Sequence, residues 1–245
     1  GGFVAARAGL AMGVALALQV GVNYANDYSD GVRGTDADRV GPMRLVGSGA
    51  ASPSRVKAAA LAAFGLAAVL GLLLVALSGQ WWLLGVGALA VAAAWGYTGG
   101  SSPYGYRGLG ELSVFVFFGL VATLGTTYVQ LLAVTTASVL GAVAVGSLAT
   151  AILVVNNLRD IPTDRGAGKR TLAVRLGDRW TRRLYLLLLA VAYACAAAVA
   201  LDGYPRALLA WLSLPWAVRA AGVVERGATG PALVAALVDT GRAEL

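Results

Sequence analysis

Two clusters of aspartate and asparagine residues carry side chains that could do chemistry in this chain. The first contains Asn23, Asn26, Asp27 and Asp30 and runs on to Asp36 and Asp38, and the second contains Asn156, Asn157, Asp160 and Asp164. Within each cluster some members stand four residues apart, so on a helix their oxygen atoms would share one face. Clustered oxygen donors suit hard cations, and Mg²⁺ commonly binds through one or two carboxylates together with substrate phosphates.

Basic side chains accompany both clusters. They are Arg39, Arg44, Arg159, Lys169 and Arg170. A diphosphate bridged by a metal ion needs metal charge as well as donor side chains, so this combination predicts such a site. Two alternatives remain open at this stage. The charged residues could form solvated ion pairs in loops, and Asn156 and Asn157 could bond the last carbonyl groups of a helix.

The clusters interrupt a strongly apolar chain. Hydrophobic residues make up 58% of the sequence and charged residues 13%, whereas a soluble domain carries about 25% charged residues. Apolar runs of about 18 or more residues can cross a hydrocarbon core about 30 Å thick. Seven such runs are predicted, at about 5–25, 58–78, 81–98, 112–132, 137–156, 184–201 and 207–224. The expected fold class is therefore all-α, a polytopic transmembrane helical bundle.

The basic residues predict how this bundle is oriented. If segment 26–57 is cytoplasmic, then 98–111, 157–183 and 219–245 lie on the same side, and only Arg7 and Arg206 fall opposite. The positive-inside rule then puts both clusters at the cytoplasmic face. The net charge of +7 is attributed to topology and to the anionic lipid bilayer. Nucleic acid is not an expected partner, because no basic face is interleaved with base-stacking aromatic residues.

Several functional classes are excluded or disfavoured. The chain has no histidine and a single cysteine, Cys195, which excludes imidazole metal ligands, histidine acid–base catalysis and an intrachain disulfide. A cation-coupled transporter predicts acidic residues near the bilayer midplane, whereas here they stand at the ends of apolar runs. A single transmembrane domain over 1–245 is expected. It is expected to be trimmed at both ends, because the chain begins inside an apolar run without Met and ends in what reads as an unfinished loop.

Three motifs, in order along the chain, resemble the UbiA superfamily of intramembrane prenyltransferases. They are Asn26-Asp27-Tyr-Ser-Asp30, the segment from Tyr97 through Tyr104, Tyr106 and Arg107 to Gly110-Glu111, and Asp160-Ile-Pro-Thr-Asp164 followed by Lys169-Arg170. The middle motif is most similar to the branch that prenylates 1,4-dihydroxy-2-naphthoate in menaquinone synthesis. The family pattern puts its third ligand in the first motif at Gly34, and here Asp36 stands two residues beyond.

The resemblance implies a fold and an activity. The fold is a bundle of nine spans around a central cavity, with cytoplasmic cap loops, and the seven runs correspond to its second through eighth spans. The activity is an enzymatic transfer of a polyprenyl group from polyprenyl diphosphate to dihydroxynaphthoate with loss of CO₂, giving demethylmenaquinone, in the cell inner (plasma) membrane. Hydroxybenzoate or a glycerol-phosphate lipid is the alternative acceptor. Prenyl chain length and oligomeric state are left open.

The resemblance also assigns roles to individual residues. Mg²⁺, for which Mn²⁺ could substitute, is implied to bind Asn26, Asp27, Asp30, Asp160 and Asp164, and the four aspartates are implied to be catalytic. Diphosphate-binding roles fall on Arg39, Arg44, Arg159, Lys169 and Arg170. The acceptor pocket is implied to contain Asn23, Tyr97, Tyr104, Tyr106 and Arg107. The tyrosine rings could instead anchor a helix at the membrane interface, and Arg107 could instead be a topology signal.

Overall fold

The computed structural model describes residues 3–34, 43–99 and 103–245, and in these ranges it contains helices and no β-strand. The α-helices are α1 (Ala5–Arg33), α2 (Pro53–Ser78), α3 (Leu83–Thr98), α4 (Gly110–Val114), α5 (Gly125–Leu131), α6 (Thr136–Gly166), α7 (Leu172–Leu201), α8 (Leu214–Glu225) and α9 (Val234–Glu244). A π-helix, Phe115–Leu124, joins α4 to α5. Short 3₁₀ helices lie at Tyr104–Arg107, Pro205–Ser213 and Gly230–Leu233. The predicted all-α fold is confirmed.

Six helical stretches of the described residues are long and apolar enough to cross a membrane. They are Ala5–Arg33, Pro53–Ser78, Gly110–Leu131, Thr136–Gly166, Leu172–Leu201 and Pro205–Glu225. Many of their large apolar side chains, such as Leu61, Leu72 and Leu73, are exposed. Outward-facing leucine is costly in water but not in lipid, whose tails are equally apolar. The chain is therefore a multi-pass membrane protein.

The helix observed at the predicted span 81–98 is shorter than the six long helical stretches. This helix, α3, has 16 residues, which at 1.5 Å per residue cover about 24 Å, less than the hydrocarbon core of about 30 Å. Trp81 and Trp82, which were predicted to begin the span, form a turn before the helix. The seven predicted runs are thus six long helices and one short apolar helix.

The helices that carry the polar clusters extend further than predicted. α1 has 29 residues and α6 has 31, so each is more than 40 Å long, and its last turns can lie outside the hydrocarbon core. The predicted loop at 157–183 is wrong, because α6 continues to Gly166 and α7 begins at Leu172. α7 is kinked at Gly177, whose φ is 75°. Hydropathy locates the apolar part of a helix, but charged residues can continue the same helix beyond it.

The chain divides into two compact units, Gly1–Tyr106 with Thr126–Leu132, and Arg107–Gly125 with Ala133–Leu245. In the first unit α1 packs on α2, and the core contains Ala25, Ala60 and Phe64. In the second unit α6 packs on α7, α9 and the π-helix. The core of the second unit consists of Ala151, Val154, Val155, Leu158, Tyr185, Leu189, Ala220, Val224, Leu233 and Ala236. Small residues in both cores let the helix backbones approach closely.

Among the glycines of the second unit that the structure describes, Gly119 of the π-helix is packed most tightly, and it faces Gly146 of α6. A Cβ atom on Gly119 would lie 2.4 Å from the Cα of Gly146, so Gly119→Ala is expected to destabilise the protein by about 1–3 kcal/mol through overpacking. Gly141→Ala is the matched control, because a Cβ there meets nothing within 4 Å. Thermal unfolding in detergent micelles checks this prediction. Equal midpoints for the two variants would contradict it.

Candidate active site

The first polar cluster lies in the last turns of α1, in the first unit. Both carboxylates are buried, with Asp27 5% exposed and Asp30 7% exposed. Asp27 accepts hydrogen bonds from the backbone N–H groups of Leu45 and Val46, at 2.8 and 3.0 Å. Its two oxygens therefore attach the segment after Met43 to the end of α1. Asn23, Asn26, Asp27 and Asp30 all lie on α1, so the prediction that a helix carries them is confirmed.

The other members of the first cluster join a hydrogen-bonded network. The hydroxyl of Tyr106 donates to Asp30, and the guanidinium of Arg33 lies 5.7 Å from the centre of the Tyr106 ring. Arg33 also donates to the carbonyl oxygen of Thr98. The Thr98 hydroxyl donates to Oδ1 of Asn26 at 2.8 Å. The network links α1, α3 and the 3₁₀ helix and fixes the side chains of Asn26 and Asp30.

The aromatic residues of the middle motif pack on one another within the first unit. The rings of Tyr97 and Tyr104 meet edge to face, with centroids 5.6 Å apart, and the Tyr104 hydroxyl donates to the carbonyl of Ala93 at 2.7 Å. Gly105 is required here, because a Cβ would lie 2.7 Å from the carbonyl oxygen of Tyr97. The packing holds the turn that carries Tyr106, whose partner is Asp30.

The second cluster occupies the last turns of α6, in the second unit. The guanidinium of Arg159 donates to both oxygens of Asp160, at 2.6 and 2.7 Å, and Arg159 is buried. Asp164 accepts a hydrogen bond of 3.4 Å from the hydroxyl of Thr171, which caps the N-terminus of α7. Asp160 and Asp164 are half-buried and lie on one helix. Arg159 is thus paired with a carboxylate in the structure, and its predicted role in binding diphosphate stays a prediction.

The remaining predicted site residues make few of the side-chain contacts described here or lie outside the described residues. Asn23 is exposed and donates to the carbonyl of Gln19 at 2.9 Å, and Arg44 reaches the carbonyl of Asn23 at 3.5 Å. Lys169 and Arg170 lie in the connection between α6 and α7, and Arg107 is exposed at the end of its 3₁₀ helix. Arg39, Asp36 and Asp38 fall outside the described residues. The roles assigned to all these residues stay predictions.

The interpretation of Asn156 and Asn157 as a helix end is wrong, since α6 continues for more than two turns past them. Asn157 instead donates to Oε1 of Glu111 at 2.9 Å. Sequence reasoning left Glu111, Arg33 and Thr98 out of the site. Glu111 alone had a usable signal, because it is the one acidic residue between Asp38 and Asp160 and it begins an apolar run.

Magnesium fits the donor atoms that each cluster offers. Within the described ranges, no three acidic, histidine or cysteine side chains lie close enough together to make a metal site by themselves. Carboxylate and amide oxygens suit the mode in which Mg²⁺ takes one or two carboxylates and completes its shell with phosphate and water. A cation at Asp27 or Asp160 must compete with the hydrogen bonds that these carboxylates already accept.

Comparison with known proteins identifies the family. The chain matches the UbiA prenyltransferase family over residues 1–232, and it belongs to that family. It is 56% identical over 239 residues to the 1,4-dihydroxy-2-naphthoate octaprenyltransferase of Mycobacterium tuberculosis, covering 98% of this chain and 81% of the relative. The enzyme of the same name from Escherichia coli is 44% identical over 194 residues, covering 77% and 63% of the two chains. No solved structure matches the chain.

Proposed function

We propose that this chain transfers a polyprenyl group from a polyprenyl diphosphate to 1,4-dihydroxy-2-naphthoate, with loss of the carboxylate as CO₂, to give demethylmenaquinone in its reduced, quinol form. The observation that carries the proposal is the 56% identity, over nearly the whole chain, to a relative named for this activity. Residues 97–111 also support it, because this segment resembles the naphthoate enzymes and contributes Tyr106 to the network around Asp30.

The donor half of the reaction needs positive charge near a departing diphosphate. We assign the oxygens of Asn26, Asp27 and Asp30 in one cluster, and of Asp160 and Asp164 in the other, to hold Mg²⁺. Bound Mg²⁺ supplies charge to the diphosphate oxygens as the carbon–oxygen bond breaks, where negative charge develops. Arg39, Arg44, Arg159, Lys169 and Arg170 add donors to those oxygens, and such contacts strengthen toward the transition state.

The acceptor half of the reaction needs an oriented, electron-rich ring. Breaking the carbon–oxygen bond leaves an allylic cation, and the ring faces of Tyr97, Tyr104 and Tyr106 can stabilise that cation. Attack by a ring carbon forms the new carbon–carbon bond. Loss of the carboxylate as CO₂ returns its bonding electrons to the ring and restores the aromatic system, with no net loss of a proton. Arg107 is the predicted polar contact of the acceptor carboxylate, and Asn23 is predicted to lie in the acceptor pocket. We place the enzyme in the plasma membrane with both aspartate clusters at the cytoplasmic face, as the positive-inside rule predicts.

A product assay tests the proposal. The purified chain in lipid vesicles is given a polyprenyl diphosphate, Mg²⁺ and one acceptor at a time: dihydroxynaphthoate labelled with ¹⁴C in its carboxyl group, 4-hydroxybenzoate or glycerol phosphate. Release of ¹⁴CO₂ together with a prenylated naphthalenediol or its quinone is the expected result. Turnover of 4-hydroxybenzoate or glycerol phosphate alone would overturn the acceptor, and absence of any prenylated product would overturn the proposed activity.

A further inference from the structure

A buried carboxylate in the second unit has no part in the mechanism described above. Glu111 lies in the first turn of the Gly110–Leu131 helical stretch and is 5% exposed. Its Oε1 atom accepts the 2.9 Å hydrogen bond from Asn157. Its Oε2 atom is buried and has no hydrogen-bond partner among the residues that the structure describes. The carboxylate is thus oriented through one oxygen and unsatisfied at the other.

A buried carboxylate oxygen without a hydrogen-bond donor costs free energy. A buried acceptor without a donor pays its full desolvation penalty, and the penalty is larger for a charged group than for a neutral one. Ionisable residues in membrane-spanning segments are rare for the same reason, and those that occur usually serve a function. The unsatisfied oxygen of Glu111 therefore indicates a ligand that donates a hydrogen bond.

The residues next to Glu111 show where in the second unit it lies. Its hydrogen-bond partner, Asn157, belongs to α6. Asn157 itself stands one turn before Asp160. On the other side, Glu111 follows an exposed turn that contains Arg107 and Leu109. Glu111 thus lies next to an exposed turn and at the end of α6 that carries the second cluster.

We propose that Glu111 is an acceptor-binding residue, whose Oε2 atom accepts a hydrogen bond from a ring hydroxyl of the aromatic acceptor. This proposal rests on the proposed function and deepens it, because it names the group that distinguishes a hydroxylated ring. Asn157 is the positioning residue that holds the carboxylate in place. A hydroxyl bonded to a carboxylate pushes electron density into its ring, so the same contact favours attack by the ring carbon on the allylic cation.

The decisive variant is Glu111→Gln. The amide oxygen of glutamine can still accept the bond from Asn157, but its NH₂ group cannot accept a bond in the place of Oε2. Equilibrium dialysis measures the binding of two probes, dihydroxynaphthoate and 2-naphthoate, which lacks the hydroxyls. Glu111→Gln is expected to weaken dihydroxynaphthoate about 10- to 100-fold and to leave 2-naphthoate unchanged. The KM for polyprenyl diphosphate should also stay unchanged.

Two other results would overturn the proposal. Unchanged binding of both probes would mean that Glu111 and Asn157 have a structural role only and that a water molecule donates the hydrogen bond to Oε2. Equal weakening of both probes indicates general damage to the pocket. Asn157→Ala serves as the second variant should Glu111→Gln unfold, and it is expected to weaken dihydroxynaphthoate selectively as well, because it frees the carboxylate to turn. A wild-type chain that binds and prenylates no dihydroxynaphthoate overturns the proposed function itself, and this assignment with it.

Discussion

Asp160→Asn is expected to reduce prenyl transfer by roughly 10² to 10⁴-fold at saturating Mg²⁺. An asparagine keeps the shape of the side chain but removes the negative charge proposed to hold the metal. In the structure it also loses one of the two charge-assisted bonds to Arg159, which leaves that buried guanidinium poorly compensated. Asp30→Asn, in the other cluster, is expected to have an effect of the same size.

Steady-state turnover of each variant in lipid vesicles measures this effect. Asp202→Asn is the control, because Asp202 is an exposed residue after the end of α7 and belongs to neither cluster; its turnover should stay within about threefold of wild type. Thermal unfolding of each variant separates loss of chemistry from loss of fold. Near-normal turnover by Asp30→Asn or Asp160→Asn would remove that aspartate from the proposed metal site.

Removal of divalent metal is expected to stop the reaction, with a loss of at least about 100-fold in excess EDTA. The described clusters offer carboxylate and amide oxygens, so hard ions should restore turnover, and Mg²⁺ and Mn²⁺ are expected to do so. EDTA saturated beforehand with Mg²⁺ is the control for effects of the chelator on the membrane. Full activity in excess metal-free EDTA would contradict the metal-assisted mechanism.

Local sequence patterns predicted the helices well because lipid imposes a simple requirement. A chain that crosses hydrocarbon must satisfy its backbone within each helix, so length and apolarity suffice to find the spans. The four-residue spacing of Asn26 and Asp30 similarly predicted one helix face, and α1 confirms it. The boundaries were less accurate at the charged ends, where α6 and α7 continue through residues that hydropathy assigns to a loop.

Contacts between residues far apart in the sequence could not be predicted from such patterns. The bond between Glu111 and Asn157 joins residues 46 positions apart, and the bond between Tyr106 and Asp30 joins residues 76 positions apart. Neither pair has a spacing that a helix or a turn would reveal. The partners depend on how the helices pack, and the packing follows from small residues such as Gly119 and Gly146, which by themselves carry no polar signal.

If Asp27 binds Mg²⁺ as proposed, the cation competes with the hydrogen bonds that Asp27 accepts from the backbone N–H groups of Leu45 and Val46. A cation that takes both oxygens of Asp27 displaces two backbone N–H groups, so metal affinity and the position of the following segment are thermodynamically linked. Arg44, directly before Leu45, belongs to that segment. Substitutions that stiffen residues 43–52 in their present position should therefore weaken cation binding at α1, although none of them touches a ligand atom.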